Sequence, residues 1–229
     1  DRLLALCGGH NEAYMKAARN YHRCGWLLVY LLGASPAQTG QFEYSISKRN
    51  GALGYRNQEE LYPDCSSLES YTKSVRSFIE QGFLSEPKEL YAPLRLKPRD
   101  PSHVLESLEH DGITYLEIRS IDLNPFEEAG VAAADLAFLH AFALYLLLAP
   151  EPATYPCWLR DADQNILEAA DRGLSPQAVV KRGGENVPMQ LGPSTRTPVV
   201  RAASSRPASR PLPFAPTSLK PPLMMCTNG

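Results

Sequence analysis

Gly112-Ile-Thr-Tyr-Leu-Glu-Ile-Arg-Ser-Ile-Asp-Leu-Asn-Pro-Phe-Glu-Glu-Ala-Gly-Val131 is the stretch that decides the fold. From Thr114 to Leu123 it alternates as a strand does, because successive side chains point to opposite sides of a sheet. Leu116 and Ile118 project one way; Tyr115, Glu117, Arg119 and Ile121 project the other. Asn124-Pro125 then stops the strand, since proline has no N–H for a ladder. A Glu and an Arg therefore stand side by side on one sheet face. Two readings follow: a solvated ion pair on a half-exposed strand, or a carboxylate aimed at a metal with a guanidinium aimed at phosphate.

Outward from this strand, helices dominate. Asn11 to Leu32 reads as one helix, with Tyr14, Ala18, Tyr21, Gly25, Leu28 and Leu32 at helical spacing and a stop at Gly33-Ala34-Ser35-Pro36. Gln41 to Tyr55 is loop-rich with room for short strands. Leu68 to Gln81 is a helix turning Tyr71, Val75, Phe78 and Ile79 inward, Glu89 to Arg95 is extended, and His103 to His110 is a helical turn or loop. Asp135 to Leu148 is a strongly apolar helix stopped by Pro150 and Pro152. Asp135 and His140 interrupt the apolar run from Ala129 to Ala149, so it reads as a buried helix rather than a membrane span, with His140 a satisfied core histidine. Asp163 to Arg172 is a further helix ending at Gly173. The fold class is α+β, an antiparallel sheet with flanking helices. Residues 1–190 form one folded unit, opening at Asp1 in helix. Residues 191–229 hold eight prolines, five Arg/Lys and no Asp or Glu, a Pro/Ser/Arg-rich composition that reads as a disordered tail.

Composition narrows the partners. A net charge of −2 over 229 residues gives no reason to expect nucleic acid or an anionic membrane. Cys7, Cys24, Cys65, Cys157 and Cys226 are odd in number and never in CxxC spacing, which fits a reducing cytoplasm better than a disulfide framework or a zinc site. GxxxxGK[ST], GxGxxG, HExxH and GxSxG are all absent, and the five histidines are too scattered to form a recognisable metal pair. Arg49, Tyr55, Tyr91, Arg95, Lys97 and Arg119 sit near turns and strand ends. Arginine suits bidentate contact with carboxylate or phosphate and tyrosine gives a flat wall with one polar handle, so the set suits a small anionic substrate such as an amino acid. Each position alone reads equally as a surface Arg or a packing Tyr.

Four stretches together resemble the bacterial glutamate–cysteine ligase family. They are Arg19-Asn20-Tyr21-His22-Arg23 with Trp26 and Tyr30-Leu31-Leu32-Gly33-Ala34-Ser35-Pro36-Ala37; Ser47-Lys48-Arg49 leading to Leu53-Gly54-Tyr55; Glu89-Leu90-Tyr91-Ala92-Pro93-Leu94-Arg95; and Tyr115-Leu116-Glu117-Ile118-Arg119-Ser120-Ile121-Asp122-Leu123-Asn124-Pro125-Phe126. The resemblance implies a glutamine-synthetase-like funnel and an ATP-dependent ligation of glutamate to cysteine through an acyl phosphate, the first step of glutathione biosynthesis. It implies that Glu117 is a ligand to Mg²⁺ or Mn²⁺, that Arg119 contacts the migrating phosphoryl group, and that Arg49, Tyr55 and Tyr91 line the cysteine pocket. The chain departs from the family's pattern at Gly51-Ala52, where a serine and an acidic residue are usual, and at Pro87-Lys88. The family begins well before Asp1 and continues differently after residue 190, so a fragment that is inactive or nearly so alone is expected. The alternative is a noncatalytic domain that binds a partner through its basic tail.

Overall fold

Helix α1 (His10–Cys24) threads the interior, its buried residues recurring along the helix from Ala13 through Met15, Ala17 and Ala18 to Tyr21. The computed structural model describes residues 7–37 and 40–189; the helical opening at Asp1 and the tail 191–229 lie outside them. The single helix expected over Asn11–Leu32 is two, because α1 stops at Gly25 and α2 (Trp26–Leu32) begins beyond it. A Cβ at Gly25 would lie 2.9 Å from the buried Tyr21 ring, so glycine lets the chain bend around that ring.

The remaining elements are α3 (Leu68–Glu80), β1 (Leu94–Lys97), α4 (Val104–His110), β2 (Tyr115–Ile118), α5 (Ala133–Leu148), α6 (Trp158–Arg172), β3 (Val179–Arg182) and β4 (Glu185–Pro188). Two short 3₁₀ turns lie at Gly40–Phe42 and Pro87–Glu89. The main apolar cluster joins Met15, Ala18 and Tyr21 of α1 to Leu28 and Leu32 of α2, Leu94 and Leu96 of β1, Leu108 of α4, and Phe142 and Leu146 of α5. A second cluster sets Trp26, Val29 and Tyr30 against Ile166, Ala169 and Ala170 of α6 and Val180 of β3. Helix α2 thus serves both. Each of its buried side chains contributes on the order of 2 kcal/mol of apolar burial.

Strands β1 and β2 pair antiparallel with Leu94 opposite Ile118, Arg95 opposite Glu117, Leu96 opposite Leu116 and Lys97 opposite Tyr115. The expected strand over Thr114–Leu123 ends at Ile118 instead. Past Arg119 the chain is drawn off the ladder: Ser120 Oγ bonds the Tyr21 hydroxyl at 2.6 Å, and buried Asp122 accepts from Ala34 N–H and Ser35 Oγ–H at 3.0 and 2.7 Å. Ile121 consequently packs against the core rather than following Glu117 and Arg119 outward. Helix α6 starts five residues before the expected Asp163, and the β3–β4 hairpin, turning on Gly183-Gly184 with φ of 59° and 86°, was not foreseen.

Helix α5 corrects another expectation. It is not buried: only Phe142 and Leu146 are, whereas Leu136, Tyr145 and Leu148 are more than half exposed, and His140 faces out rather than into a core. A helix apolar on every side carries no periodicity to say which face packs. Among the described residues no helix is long and apolar enough to cross a membrane.

One buried charge ties these layers together. Arg19 of α1 donates to Glu151 at 2.5 and 3.1 Å, to Glu12, and to the carbonyls of Cys65 and Ser66 at 3.3 Å each. Those bonds hold the guanidinium above its ordinary range against the opposing cost of burial. Arg19→Met leaves Glu12 beside an apolar side chain and Glu151 with the longer contact to Arg23 at 3.7 Å, and the expected loss is about 2 kcal/mol, reduced from the fully buried case because both acids keep some solvent. Urea unfolding of the variant measures it.

Candidate functional site

Three segments from distant parts of the chain meet on the polar side of the β1–β2 ladder. The loop at 47–57 brings Arg49 and Tyr55, the stretch at 88–95 brings Lys88, Glu89, Tyr91 and Arg95, and the end of β2 brings Arg119. Together they line a cavity of about 340 Å³. The sequence singles out Arg49, Tyr55, Tyr91, Arg95, Lys97 and Arg119; the fold gathers five of them around that cavity, whereas Lys97 pairs with Glu117 instead. Glu117 does not line it; it stands beside Arg119, two residues closer to the ladder's centre.

Each arm is set locally. In the first loop Gly51 N–H bonds Ser47 C=O at 3.0 Å and Gly54 N–H bonds Gly51 C=O at 3.0 Å. A Cβ at Gly54 would fall 2.0 Å from the Arg49 carbonyl oxygen, so only glycine permits the turn that presents Arg49 and Tyr55 together. Gly51 leaves room for Asp171, whose Oδ1 would lie 2.0 Å from a Cβ there and which accepts from Ala52 N–H at 2.9 Å. Buried Asn50 donates to Ser47 Oγ at 2.7 Å and to the Ser120 carbonyl at 3.0 Å. Arg49 itself donates to Ile121 C=O at 3.0 Å. These bonds fasten the first loop to the end of β2.

The aromatic wall is equally specific. Tyr55, 70% exposed, meets Tyr91 edge-on with ring centroids 5.4 Å apart. The Arg119 guanidinium lies 5.6 Å from the centroid of Tyr91, a cation–π separation. Arg95 donates to the carbonyls of Lys88 and Leu90 at 2.9 and 2.8 Å, bracing the second arm, and burial, reinforced by the Arg119 charge, lowers its pKa.

Charge decides what such a cavity accepts. Arg49, Lys88, Arg95 and Arg119 face one carboxylate, Glu89, which accepts from Ser85 N–H at 2.6 Å. The excess is cationic and suits a small anion carrying carboxylate or phosphate oxygens. Glu117 lies 3.0 Å from Lys97 Nζ and 3.5 Å from Arg119 Nε. Its pKa is lowered first by the hydrogen bond from Lys97, against the opposing effect of desolvation, and further by the charges of Lys97, Arg119 and Arg95. Among the described residues no group of three or more His, Cys, Asp or Glu converges as a metal cage. Lys88 and Asn57 were missed by sequence reading, because neither a lysine after a proline nor an asparagine in a loop carries a signal beyond a turn.

The chain's likenesses point the same way. The family model described as glutamate-cysteine ligase matches residues 8–44 and 79–168. The glutathione biosynthesis bifunctional protein GshAB of Listeria monocytogenes serotype 4b is 36% identical over 193 residues, covering 77% of this chain and 25% of that protein. GshAB of Enterococcus faecalis is 38% identical over 161 residues, 66% of this chain and 21% of that one. The chain thus spans about a quarter of the length of these curated relatives. A glutamate–cysteine ligase from Francisella tularensis, solved in complex with AMP, superposes with a TM-score of 0.70 at 19% identity, over 85% of this chain and 50% of that one. A bifunctional glutathione synthetase from Pasteurella multocida superposes with a TM-score of 0.62 at 30% identity, over 71% and 22%. The arrangement of helices with small antiparallel sheets is therefore shared with a glutamate–cysteine ligase.

The Lys97–Glu117 pair has a pH signature. Because the folded carboxyl titrates below its unfolded value of about 4.3, the pair's contribution to stability is complete above that value and is lost as pH falls through the lower, folded pKa. In Lys97→Met the Glu117 titration moves upward toward the unfolded value, so the variant is less stable than the parent chain above about pH 4.3 and the difference shrinks as pH falls through the parent's folded pKa; carboxyl ¹³C NMR and urea unfolding across an acid titration read the two effects.

Proposed function

The chain belongs to the glutamate–cysteine ligase family, and from that premise we propose that the cation-lined cavity is the acceptor side of an ATP-dependent ligation of glutamate to cysteine. In this reading Arg49 binds the carboxylate of cysteine, Tyr55 and Tyr91 wall its side, and Arg119 meets the phosphoryl group in transit. The convergence of Arg49, Arg95 and Arg119 around the Tyr55–Tyr91 pair carries the proposal, since neither spacing nor composition requires residues from three segments to meet.

The chemistry follows from that set. The γ-carboxylate oxygen of glutamate attacks the γ-phosphorus of ATP and ADP leaves; the cysteine amine then attacks the acyl carbon, and inorganic phosphate leaves as the amide forms. Negative charge builds on the phosphoryl oxygens in the first step and on the acyl oxygen in the second. Fixed guanidinium groups aimed there stabilise the transition state more than the ground state, and holding the amine carboxylate supplies orientation. A nucleotide substrate is in keeping with the AMP bound by the Francisella relative. The donors near Glu117 do not by themselves make a divalent-cation site: it is one carboxylate already shared by Lys97 and Arg119. If Mg²⁺ takes part, it draws most of its ligands from elsewhere, and none of these steps is assigned to it. The proposal extends to β1–β2 as part of the wall of a glutamine-synthetase-like funnel and to a protein that works in the cytoplasm.

Calorimetric titration of the purified chain with L-cysteine tests the assignment. Arg49→Ala is expected to weaken binding roughly ten- to hundredfold, the loss of one charge-assisted contact, while Arg119→Ala leaves it within about threefold because its partner is the phosphoryl group. Equal affinity of the parent chain and Arg49→Ala for cysteine overturns the proposal.

A further inference from the structure

Tyr91 has no ladder of its own. It lies between the 3₁₀ turn at Pro87–Glu89 and the start of β1 at Leu94, and among the described residues no main-chain group bonds its N–H or C=O. Both are taken by one side chain 34 residues away: Asn57 Oδ1 accepts from Tyr91 N–H at 2.8 Å, and Asn57 Nδ2 donates to Tyr91 C=O at 2.9 Å. A carboxamide used in this way imitates the paired N–H and C=O of a neighbouring strand, so it fixes backbone position and rotation together.

The consequence for the cavity is direct. Asn57 stands two residues after Tyr55, and its clamp holds Tyr91, so one side chain sets the spacing between the backbones that carry the two rings. The edge contact at 5.4 Å and the seat of the Arg119 guanidinium 5.6 Å from Tyr91 both depend on that spacing. Without the clamp, Tyr91's N–H and C=O turn to water, its ring leaves Tyr55, and Arg119 loses the face that orients it.

We propose that Asn57 is a positioning residue of the anion site: it touches no substrate and acts by holding Tyr91, and through Tyr91 it holds Tyr55 and Arg119. This rests on the reading of the cavity as the site of a small carboxylate- or phosphate-bearing ligand. A purely structural role predicts lost stability alone, and the molecule contains its own comparison. Asn165 of α6 clamps Lys181 of β3 by the same two bonds, Nδ2 to Lys181 C=O at 2.9 Å and Lys181 N–H to Oδ1 at 2.6 Å, and neither residue lines the cavity.

The experiment uses the whole chain with inorganic phosphate as probe, read by calorimetry, together with nuclear Overhauser contacts between the Tyr55 and Tyr91 rings. In Asn57→Ala the ring contacts vanish and phosphate affinity falls about tenfold. In Asn165→Ala thermal stability falls comparably, while the ring contacts and affinity stay as in the parent chain. Asn57→Gln, which keeps the amide but displaces it by one methylene, loses the same ring contacts and decides the matter should Asn57→Ala not fold. Ring contacts that persist in either Asn57 variant overturn the clamp, as does unchanged phosphate affinity. If the parent chain binds no phosphate, the reading of the cavity falls on its own account, and the ring contacts alone then judge Asn57.

Discussion

Four residue pairs of antiparallel ladder set the terms for everything on the polar side of this molecule. With Leu94 opposite Ile118 and Leu96 opposite Leu116, the apolar members of both strands share one face and pack on α1. The same register leaves Arg95, Lys97 and Glu117 together on the other face. A slip of one residue would bury the charges and expose the leucines, so the core fixes the electrostatics of the site. Glu117 lies among Lys97, Arg95 and Arg119, and its charge offsets a repulsion that would otherwise push the guanidinium groups apart.

What surrounds the ladder converts a charged face into a cavity. Tyr21, buried in the core with its phenol pushed above the usual range by burial, bonds Ser120 one residue past Arg119. Asn50 bonds the Ser120 carbonyl from the opposite loop. Core helix, strand end and Arg49 loop are thereby joined within a few bonds, and a disturbance in α1 reaches the cavity through hydrogen bonds rather than through loose packing.

Much of this was legible beforehand, and the gaps have physical causes. Helix α3 announced itself because one face is apolar at the 3.6-residue period, whereas α4, read as a helical turn or loop, is only seven residues long. Helix α5 did not disclose its orientation because its apolar residues surround it. The split at Gly25 depends on where the Tyr21 ring lies, which is tertiary information. The β3–β4 hairpin escaped because Glu185 and Asn186 give no apolar alternation. At the site, alternation placed Glu117 and Arg119 on one face, but the pairing of Glu117 with Lys97 needed the partner strand's register. Residue type grouped Arg49, Tyr55 and Tyr91 as suited to a small anion, but a shared pocket came only through resemblance to a family, since their spacing along the chain holds no trace of their meeting. Nothing about Asn57 in sequence distinguishes a backbone clamp from an ordinary turn residue.

The central claim is that guanidinium groups from three separate segments line one cavity that takes anionic groups. Crystals of the chain soaked in tungstate, a tetrahedral dianion whose anomalous scattering locates it without ambiguity, test this most directly. The account predicts a peak between Arg49, Arg95 and Arg119, beside the Tyr55–Tyr91 pair. Tungstate bound only at other surface cations, with these three guanidinium groups turned away from one another, would contradict it.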